Sequence, residues 1–241
     1  MTKRFGFTLA EVLITLGIIG VVAAMSIPTL IANTNSAKFR SQFKKTVATL
    51  NQAALMSQAQ YDYDFAGATT ASDKTKLDPK SNSSVAALLA GTLSGVTITD
   101  SLTLADGTTA YSATLNSQAA PTSQLFAKLA DGSIFAFNSA ATNCSVEPGE
   151  DPKDYINGTR TTGGTNLIGQ GCYGYIDVNG VTMPNAELKC KGNTNAALYT
   201  GTDCQVPNDA AHMKDVFVVV YHDGVVEPAS NAARYVLSAA K

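Results

Sequence analysis

A single carboxylate lies inside the longest apolar run of this 241-residue sequence. The run covers residues 7–31, and Glu11 is its one charged residue. An acid at the centre of a lipid-embedded helix costs about 2.5–3.5 kcal/mol, and somewhat less near the interface. Such a residue usually has a partner and a role. Glu11 is therefore the first candidate for chemistry, and that chemistry is ion pairing away from water.

Four cysteines, all C-terminal to this run, are candidates for oxidation to disulfides. They are Cys144, Cys172, Cys190 and Cys204. An even number in an exported domain indicates two bridges with three possible pairings. We favour the sequential pairing of Cys144 with Cys172 and of Cys190 with Cys204. Each bridge would then close one loop and stabilise the fold by about 3 kcal/mol. The two crossed pairings stay open. Bridged cysteines imply a periplasmic or extracellular location, whereas free thiols would indicate a reduced compartment.

One pattern in the sequence could bind a metal ion. Asp177 and Asn179, with Asp215 downstream, offer oxygen ligands of the kind that calcium takes. The distal glutamate of a complete calcium loop is missing. Asn179 and Gly180 are also the residue pair that supplies the positive φ angles of a tight hairpin turn. We favour a hairpin turn here, keep calcium as a weak alternative, and predict no other cofactor.

The two histidines, His212 and His222, give no catalytic pattern. Neither has a serine, cysteine or carboxylate near it in an arrangement typical of hydrolases. We therefore predict that the protein is not an enzyme. The net charge of −2 also argues against a nucleic-acid partner, which would require a basic face.

The apolar run itself is long enough to cross a membrane, which takes roughly 20 residues in a helix. It is too long for an ordinary secretory signal, whose apolar part has about 7–15 residues. Lys3 and Arg4 precede it and favour a cytoplasmic N-terminus. A plain signal anchor would explain the length and the basic flank, but it would not explain Glu11.

The order of residues at the N-terminus resembles the class III signal of type IV pilins and type II secretion pseudopilins. A basic leader ends at Gly6, and Phe7 opens the apolar run. In that family a prepilin peptidase cuts after the glycine and methylates the new N-terminal residue, so the resemblance implies a cut between Gly6 and Phe7. Counted from Phe7, the family's acid and proline fall on Glu11 and Pro28. The resemblance covers residues 1–60.

The resemblance also implies a partner for Glu11. Glu11 would neutralise the amine of Phe7 on a neighbouring subunit as a filament grows, because an unpaired charge removed from water is costly. The implied partners are further subunits in a homo- or hetero-filament, the prepilin peptidase, an inner-membrane platform protein and an assembly ATPase.

Helical periodicity continues beyond the apolar run. Five apolar residues recur with the spacing of one helix face: Phe39, Phe43, Val47, Leu50 and Ala54. We predict one helix over residues 8–59, kinked at Pro28 because proline removes a helical hydrogen bond and clashes with the preceding turn. The second half of this helix should pack its apolar face on the globular domain.

Signals for strands dominate the rest of the chain. Residues 66–122 give only weak signals of secondary structure. They predict a short helix at 85–90, capped by Ser83 or Ser84, and a strand at 96–99 continued by 102–104. Asp-Gly pairs join strand patterns at 125–129 with 133–137 and at 216–221 with 225–228, and residues 173–178 form another strand pattern. We predict an antiparallel sheet of four or more strands.

The predicted fold is α+β: a long N-terminal helix, transmembrane in its first half, packed against a C-terminal antiparallel β-sheet. This is also the pilin fold that the resemblance implies. The predicted organisation is a leader at 1–6, a transmembrane or filament-core helix at 7–31, an amphipathic helix half at 32–60, a variable linking region at 61–122, and a sheet domain with disulfide loops at 123–241.

The functional hypothesis is a structural subunit of a type IV pilus-like filament, or fimbrium. The subunit would cross the inner membrane once and then enter an extracytoplasmic or cell-surface filament. One alternative is a pseudopilin of a type II secretion system, involved in protein secretion. A second is a membrane-anchored extracytoplasmic binding module that uses the helix only as an anchor.

Overall fold

A computed structural model of the chain describes residues 8–111, 123–147, 152–157, 167–192, 204–209 and 211–238. The described chain contains four helices and six strands. Their order is α1 (Leu9–Tyr61), α2 (Val85–Thr92), β1 (Thr97–Thr99), β2 (Gln124–Lys128), β3 (Ile134–Asn138), α3 (Pro152–Asn157), β4 (Tyr173–Asp177), β5 (Val216–His222), β6 (Val225–Pro228) and α4 (Asn231–Ser238).

Helix α1 carries the chain from the apolar run into the sheet domain. It begins after Thr8, the N-cap, and ends at Asp62, whose left-handed backbone (φ 66°) terminates the helix. Pro28 lies inside it, and the chain is helical on both sides of this residue. The predicted single helix over residues 8–59 therefore matches the structure closely.

The second half of α1 packs on the sheet domain through the predicted apolar face. Phe39, Phe43, Val47, Leu50 and Ala54 are all buried. Their spacing places them on one side of the helix, toward the core, while Ser41, Lys45, Ala48 and Gln52 on the opposite side are exposed. We call the described residues from Ser36 to Ser238 the head, and residues 9–31 the exposed half of α1.

The six strands form one antiparallel sheet whose spatial order follows the chain, β1-β2-β3-β4-β5-β6. The two predicted hairpins are present: Lys128 pairs with Ile134 across the first turn, and His222 pairs with Val225 across the second. Strand β4 lies between them and joins both hairpins. The predicted α+β fold, with a long helix packed on a C-terminal antiparallel sheet, is confirmed.

Three local features differ from the predictions. Residues 102–104 do not continue β1. The turn at Asn179 is not a tight hairpin, because residues 178–215 separate β4 from its partner β5; Asn179 instead closes a wider turn by donating its side-chain N–H to the carbonyl of Met183. The helices α3 and α4 were not predicted from the sequence.

Aromatic side chains fill the space between α1 and the sheet. The rings of Phe43 on α1 and Phe217 on β5 stack with centroids 4.0 Å apart and planes 8° from parallel. Phe135 on β3 meets Tyr221 on β5 edge to face at 5.9 Å. This packing fixes the C-terminal half of α1 on the sheet within the head and leaves the N-terminal half projecting from the head.

Candidate functional site

The exposed half of α1 is the most unusual surface of the molecule. Its segment Leu9–Pro28 has a mean hydropathy of 2.2, and no part of it is buried. Large apolar side chains point outward in every direction, with exposures from 81% at Leu9 down to 45% at Val12. So much contiguous apolar surface must be covered by lipid or by other protein.

Glu11 lies in the first turn of this surface and is held by Thr8. The carboxylate oxygen Oε2 accepts hydrogen bonds from the backbone N–H and the hydroxyl of Thr8, both at 2.8 Å. The hydroxyl of Thr8 in turn accepts the backbone N–H of Glu11 at 3.3 Å. This is a capping box, in which two N–H groups that lack helical partners are satisfied reciprocally.

The capping box turns the carboxylate of Glu11 back toward the N-terminus of the chain. The residues that lead up to it, including the predicted cleavage pair Gly6 and Phe7, lie outside the described residues. Thr8 was not identified from the sequence as a functional residue, although a threonine three positions before a glutamate is a recognisable signal for a helix start.

Arg40 anchors α1 at the base of the head. Its guanidinium donates a hydrogen bond of 2.6 Å to the carbonyl of Val206 and lies over the ring of Tyr235 on α4, 5.7 Å from the centroid. The side chain is buried, with 8% of its surface exposed. Arg40 therefore joins the helix to the segment that follows Cys204 and to the C-terminal helix.

Both disulfides follow the sequential pairing. Cys144–Cys172 is buried and joins the start of β4 to the segment after β3, and the N–H of Cys144 donates to the carbonyl of Phe65 beyond the end of α1. Cys190–Cys204 is partly exposed and closes the base of a loop between β4 and β5. The first bridge therefore braces the core, and the second braces an excursion from it.

The two carboxylates among the weak calcium candidates each accept hydrogen bonds from nearby groups. Asp177 accepts the hydroxyl of Tyr111 at 2.9 Å and the N–H of Asn179 at 3.0 Å. Asp215 accepts the two backbone N–H groups of residues 185–186, each at 3.0 Å. The described ranges contain no group of three or more histidine, cysteine or acidic side chains that could hold a metal ion. In this arrangement the pair braces the turn after β4.

Burial gives Asp177 unusual acid–base behaviour. The side chain is fully buried. Removal from water, together with the nearby negative charge of Asp215, raises its pKa to about 7, although the hydrogen bonds from Tyr111 and Asn179 favour the ionised form. Burial also raises the pKa of Asp215 above its usual range.

His222, at the end of β5, is buried between two acids. Its Nδ1 lies 2.8 Å from Asp223 and its Nε2 lies 3.2 Å from Glu227. Burial opposes the charged imidazolium, but the hydrogen bonds to Glu227 and Asp223 outweigh it and raise the pKa of His222. His212 lies in a separate turn, where its Nδ1 is 2.7 Å from Asp209. The structure thus keeps the two histidines in different local clusters.

Comparison with known proteins identifies the N-terminus. Residues 1–27 match the family described as the prokaryotic N-terminal methylation motif, the class III signal of type IV pilins and pseudopilins. The match covers Gly6, Phe7 and Glu11 and most of the exposed apolar segment. Neither the comparison with curated proteins nor the comparison with solved structures finds a match.

Proposed function

We propose that this protein is a structural subunit of a type IV pilus-like filament. A prepilin peptidase would cut between Gly6 and Phe7 and methylate the new N-terminus at Phe7. The exposed half of α1 would then leave the membrane and pack among the same helices of other subunits. The chain would act by assembly rather than by catalysis.

The observation that carries this proposal is the exposed half of α1 behind a methylation signal. A helix that only anchored a domain would need the apolar surface but not a carboxylate within its first turn. A charge in lipid is costly unless it is paired. A neighbouring subunit that brings the amine of Phe7 to Glu11 would satisfy that charge, so pairing would favour assembly and set the axial register of the subunits.

The arrangement of the head supports the same function. Its core is closed by the sheet and by the second half of α1, so the head does not need the exposed half of α1 for its own fold. The two disulfides suit a domain exposed to an oxidising environment. In a filament the exposed helix halves would form the core, and the heads would form the outer surface.

The proposed setting follows from this assembly. The subunit would first cross the inner membrane once, with residues 1–6 in the cytoplasm and the head outside it. An inner-membrane platform protein would position the subunit, and an assembly ATPase would supply the energy to extract it from the membrane. Pro28, within the membrane-facing segment, would tolerate helix adjustment during that transfer, because it already lacks one helical hydrogen bond.

Mass spectrometry of the mature N-terminus tests the proposal. We expect the protein purified from its native cells to begin at an N-methylated Phe7. Deletion of the prepilin peptidase should leave the chain starting at Met1, or at Thr2 if the initiator is removed. An unmethylated mature chain, or one cut after about residue 25 as by an ordinary signal peptidase, would contradict the proposal.

A further inference from the structure

The imidazole of His222 is enclosed between two carboxylates, one at each ring nitrogen. Nδ1 lies 2.8 Å from Oδ2 of Asp223, and Nε2 lies 3.2 Å from Oε1 of Glu227. Only 7% of the histidine side chain is exposed. Water therefore has little access to the ring, and the two carboxylates are the partners that its nitrogens have.

This geometry determines how many protons the ring must carry. A neutral imidazole has one N–H and one unprotonated nitrogen, so it could donate to only one of the two carboxylates. Its other nitrogen would then direct a lone pair at a carboxylate oxygen, and the two would repel each other at a site with little water. The imidazolium donates to both. Of the three groups, histidine has the highest ordinary pKa, so His222 takes the additional proton.

The turn that begins at His222 joins three parts of the head. The N–H of Asp223 donates to the carbonyl of Cys144 at 2.8 Å, and the carbonyl of Asp223 accepts the N–H of Phe65 at 3.0 Å. The carboxylate oxygen that faces His222 also accepts the N–H of Val146 at 3.2 Å. Cys144 belongs to the buried disulfide, and Phe65 follows the end of α1. By holding this carboxylate, His222 positions the whole junction.

The charged and titratable groups on the neighbouring segments favour the imidazolium. The segment after α1 and the segment after β3, both bonded to this turn, carry the acidic residues Asp64 and Glu147. On β4, Tyr173 lies on the same face of the sheet as His222, and it stays neutral because burial raises its pKa. Burial lowers the pKa of His222, but the hydrogen bonds and negative charges of its two carboxylate partners raise it further.

We propose that protonated His222 is a pH-sensitive latch that holds the β5–β6 turn to the segment after α1 and to the first disulfide. When the ring loses a proton, one carboxylate loses its donor and the junction loosens. The latch is fully formed below about pH 6.5, the ordinary pKa of histidine, and is lost as pH rises through the higher pKa of the folded protein. The latch lies within the head, so it operates without filament assembly.

NMR of the imidazole nitrogens in the full chain, held in detergent micelles, tests the protonation state. The ring of His222 should be predominantly imidazolium at about pH 6.5, where an ordinary histidine is half neutral. Glu227→Gln keeps a polar side chain but removes one charge, so it should move the titration of the ring to lower pH. A predominantly neutral ring at this pH, or an unchanged titration in Glu227→Gln, would overturn the inference.

Amide exchange tests the latch itself. After correction for intrinsic exchange, the N–H groups of Asp223 and Phe65 should lose protection on the order of tenfold between about pH 6 and pH 9, the effect of one hydrogen bond to a charged group. His222→Gln should show the lower protection throughout this range. His212→Gln, which alters a separate turn, is the matched control and should keep the pH dependence.

A background variant separates this effect from the ionisation of Asp177, whose pKa is about 7 elsewhere in the head. In Asp177→Asn the loss of protection at Asp223 and Phe65 should persist. The N–H of Leu129, bonded to Ser133 at the other hairpin turn, should keep its protection there. Constant protection at the first two amides, or an equal loss at all three in Asp177→Asn, would contradict the latch.

Discussion

Glu11 has one role that the structure shows and a second that we propose. Its carboxylate caps the first turn of α1 through Thr8, and it also carries the charge that we propose to pair across subunits. Capping requires only an acceptor oxygen, which glutamine also provides. Pairing with an amine requires the negative charge. Two substitutions at one position can therefore distinguish the roles.

We expect Glu11→Leu to stop filament incorporation while leaving the protein in the membrane. Loss of a charge partner at a site removed from water should reduce the incorporated fraction on the order of tenfold or more. The measurement compares the subunit in sheared surface material with the subunit in the membrane fraction.

Glu11→Gln should be as defective as Glu11→Leu, since it keeps the cap but loses the charge. Val12→Leu, one position along on the same exposed surface, should assemble normally. Normal assembly of Glu11→Gln would show that the cap is what matters. Normal assembly of Glu11→Leu would favour a helix that serves only as an anchor.

Asp177 predicts a pH dependence of stability. Its pKa is about 7 in the folded protein against an ordinary value of 3.8, so the folded state binds more protons than the unfolded state between these values. The free energy of unfolding should therefore fall as pH rises from about 4 to about 7. Asp177→Asn should remove this loss and be more stable than the unaltered protein at pH 8, by roughly 2–4 kcal/mol.

Urea unfolding at several pH values measures this effect. The difference between Asp177→Asn and the unaltered protein should shrink toward pH 4. Asp62→Asn is the matched control, since it removes an exposed carboxylate at a left-handed position that asparagine also tolerates. A pH profile that is unchanged by Asp177→Asn would show that Asp177 stays ionised in the folded protein.

At the scale of elements, the contact between α1 and β5 joins the two parts of the fold. Phe43 is fully buried and stacks on Phe217. We expect Phe43→Ala to destabilise the head by about 3–5 kcal/mol, from lost burial and the cavity left behind. Denaturant unfolding of the detergent-solubilised chain would measure it.

A second truncation on the same helix provides the control. Leu13 is 61% exposed on the exposed half of α1, so Leu13→Ala should change head stability by less than about 0.5 kcal/mol. Equal effects of the two substitutions would mean that the exposed half contributes to the stability of the head, against the arrangement described.

The elements that could be predicted are those with a local signal. The apolar face from Phe39 to Ala54 and the turns at Asp131 and Asp223 each depend on neighbouring residues, and each is present in the structure. The turn at Asn179 has the residues of a tight hairpin, but its partner strand begins at Val216. The short helix α4 has a local signal that the prediction missed: the hydroxyl of Ser230 accepts the N–H of Ala233, and the helix buries one apolar face.

The features of the candidate site also divide into those with a local signal in the sequence and those without one. Gly6, Phe7, Glu11 and Pro28 could be proposed together because they belong to one contiguous signal, and their roles stay predictions. The contact of Arg40 with Val206 joins residues 166 positions apart, and the turn at Asp223 joins the segment after α1 to the first disulfide. Contacts of this kind depend on the completed fold, so no local pattern in the sequence indicates them.

At the scale of the whole molecule, the two disulfides constrain different parts of the head. Cys144–Cys172 spans 28 positions and is buried beside the end of α1, whereas Cys190–Cys204 spans 14 and is partly exposed. Loop-closure entropy alone favours the longer loop only slightly, with about 3–4 kcal/mol for either bridge. The difference between the bridges should therefore come from packing.

We expect the double variant Cys144→Ala, Cys172→Ala to destabilise the head more than Cys190→Ala, Cys204→Ala, because the first also leaves space in the core. The carbonyl of Cys144 accepts the N–H of Asp223, and the carbonyl of Cys172 accepts that of Tyr221, so loosening this bridge should also disturb the β5–β6 turn. Urea unfolding and amide exchange at β5 would measure both effects. The free energy of unfolding of the second variant should fall by about 3 kcal/mol, without faster amide exchange at β5. Equal exchange at β5 in the two variants would contradict this prediction.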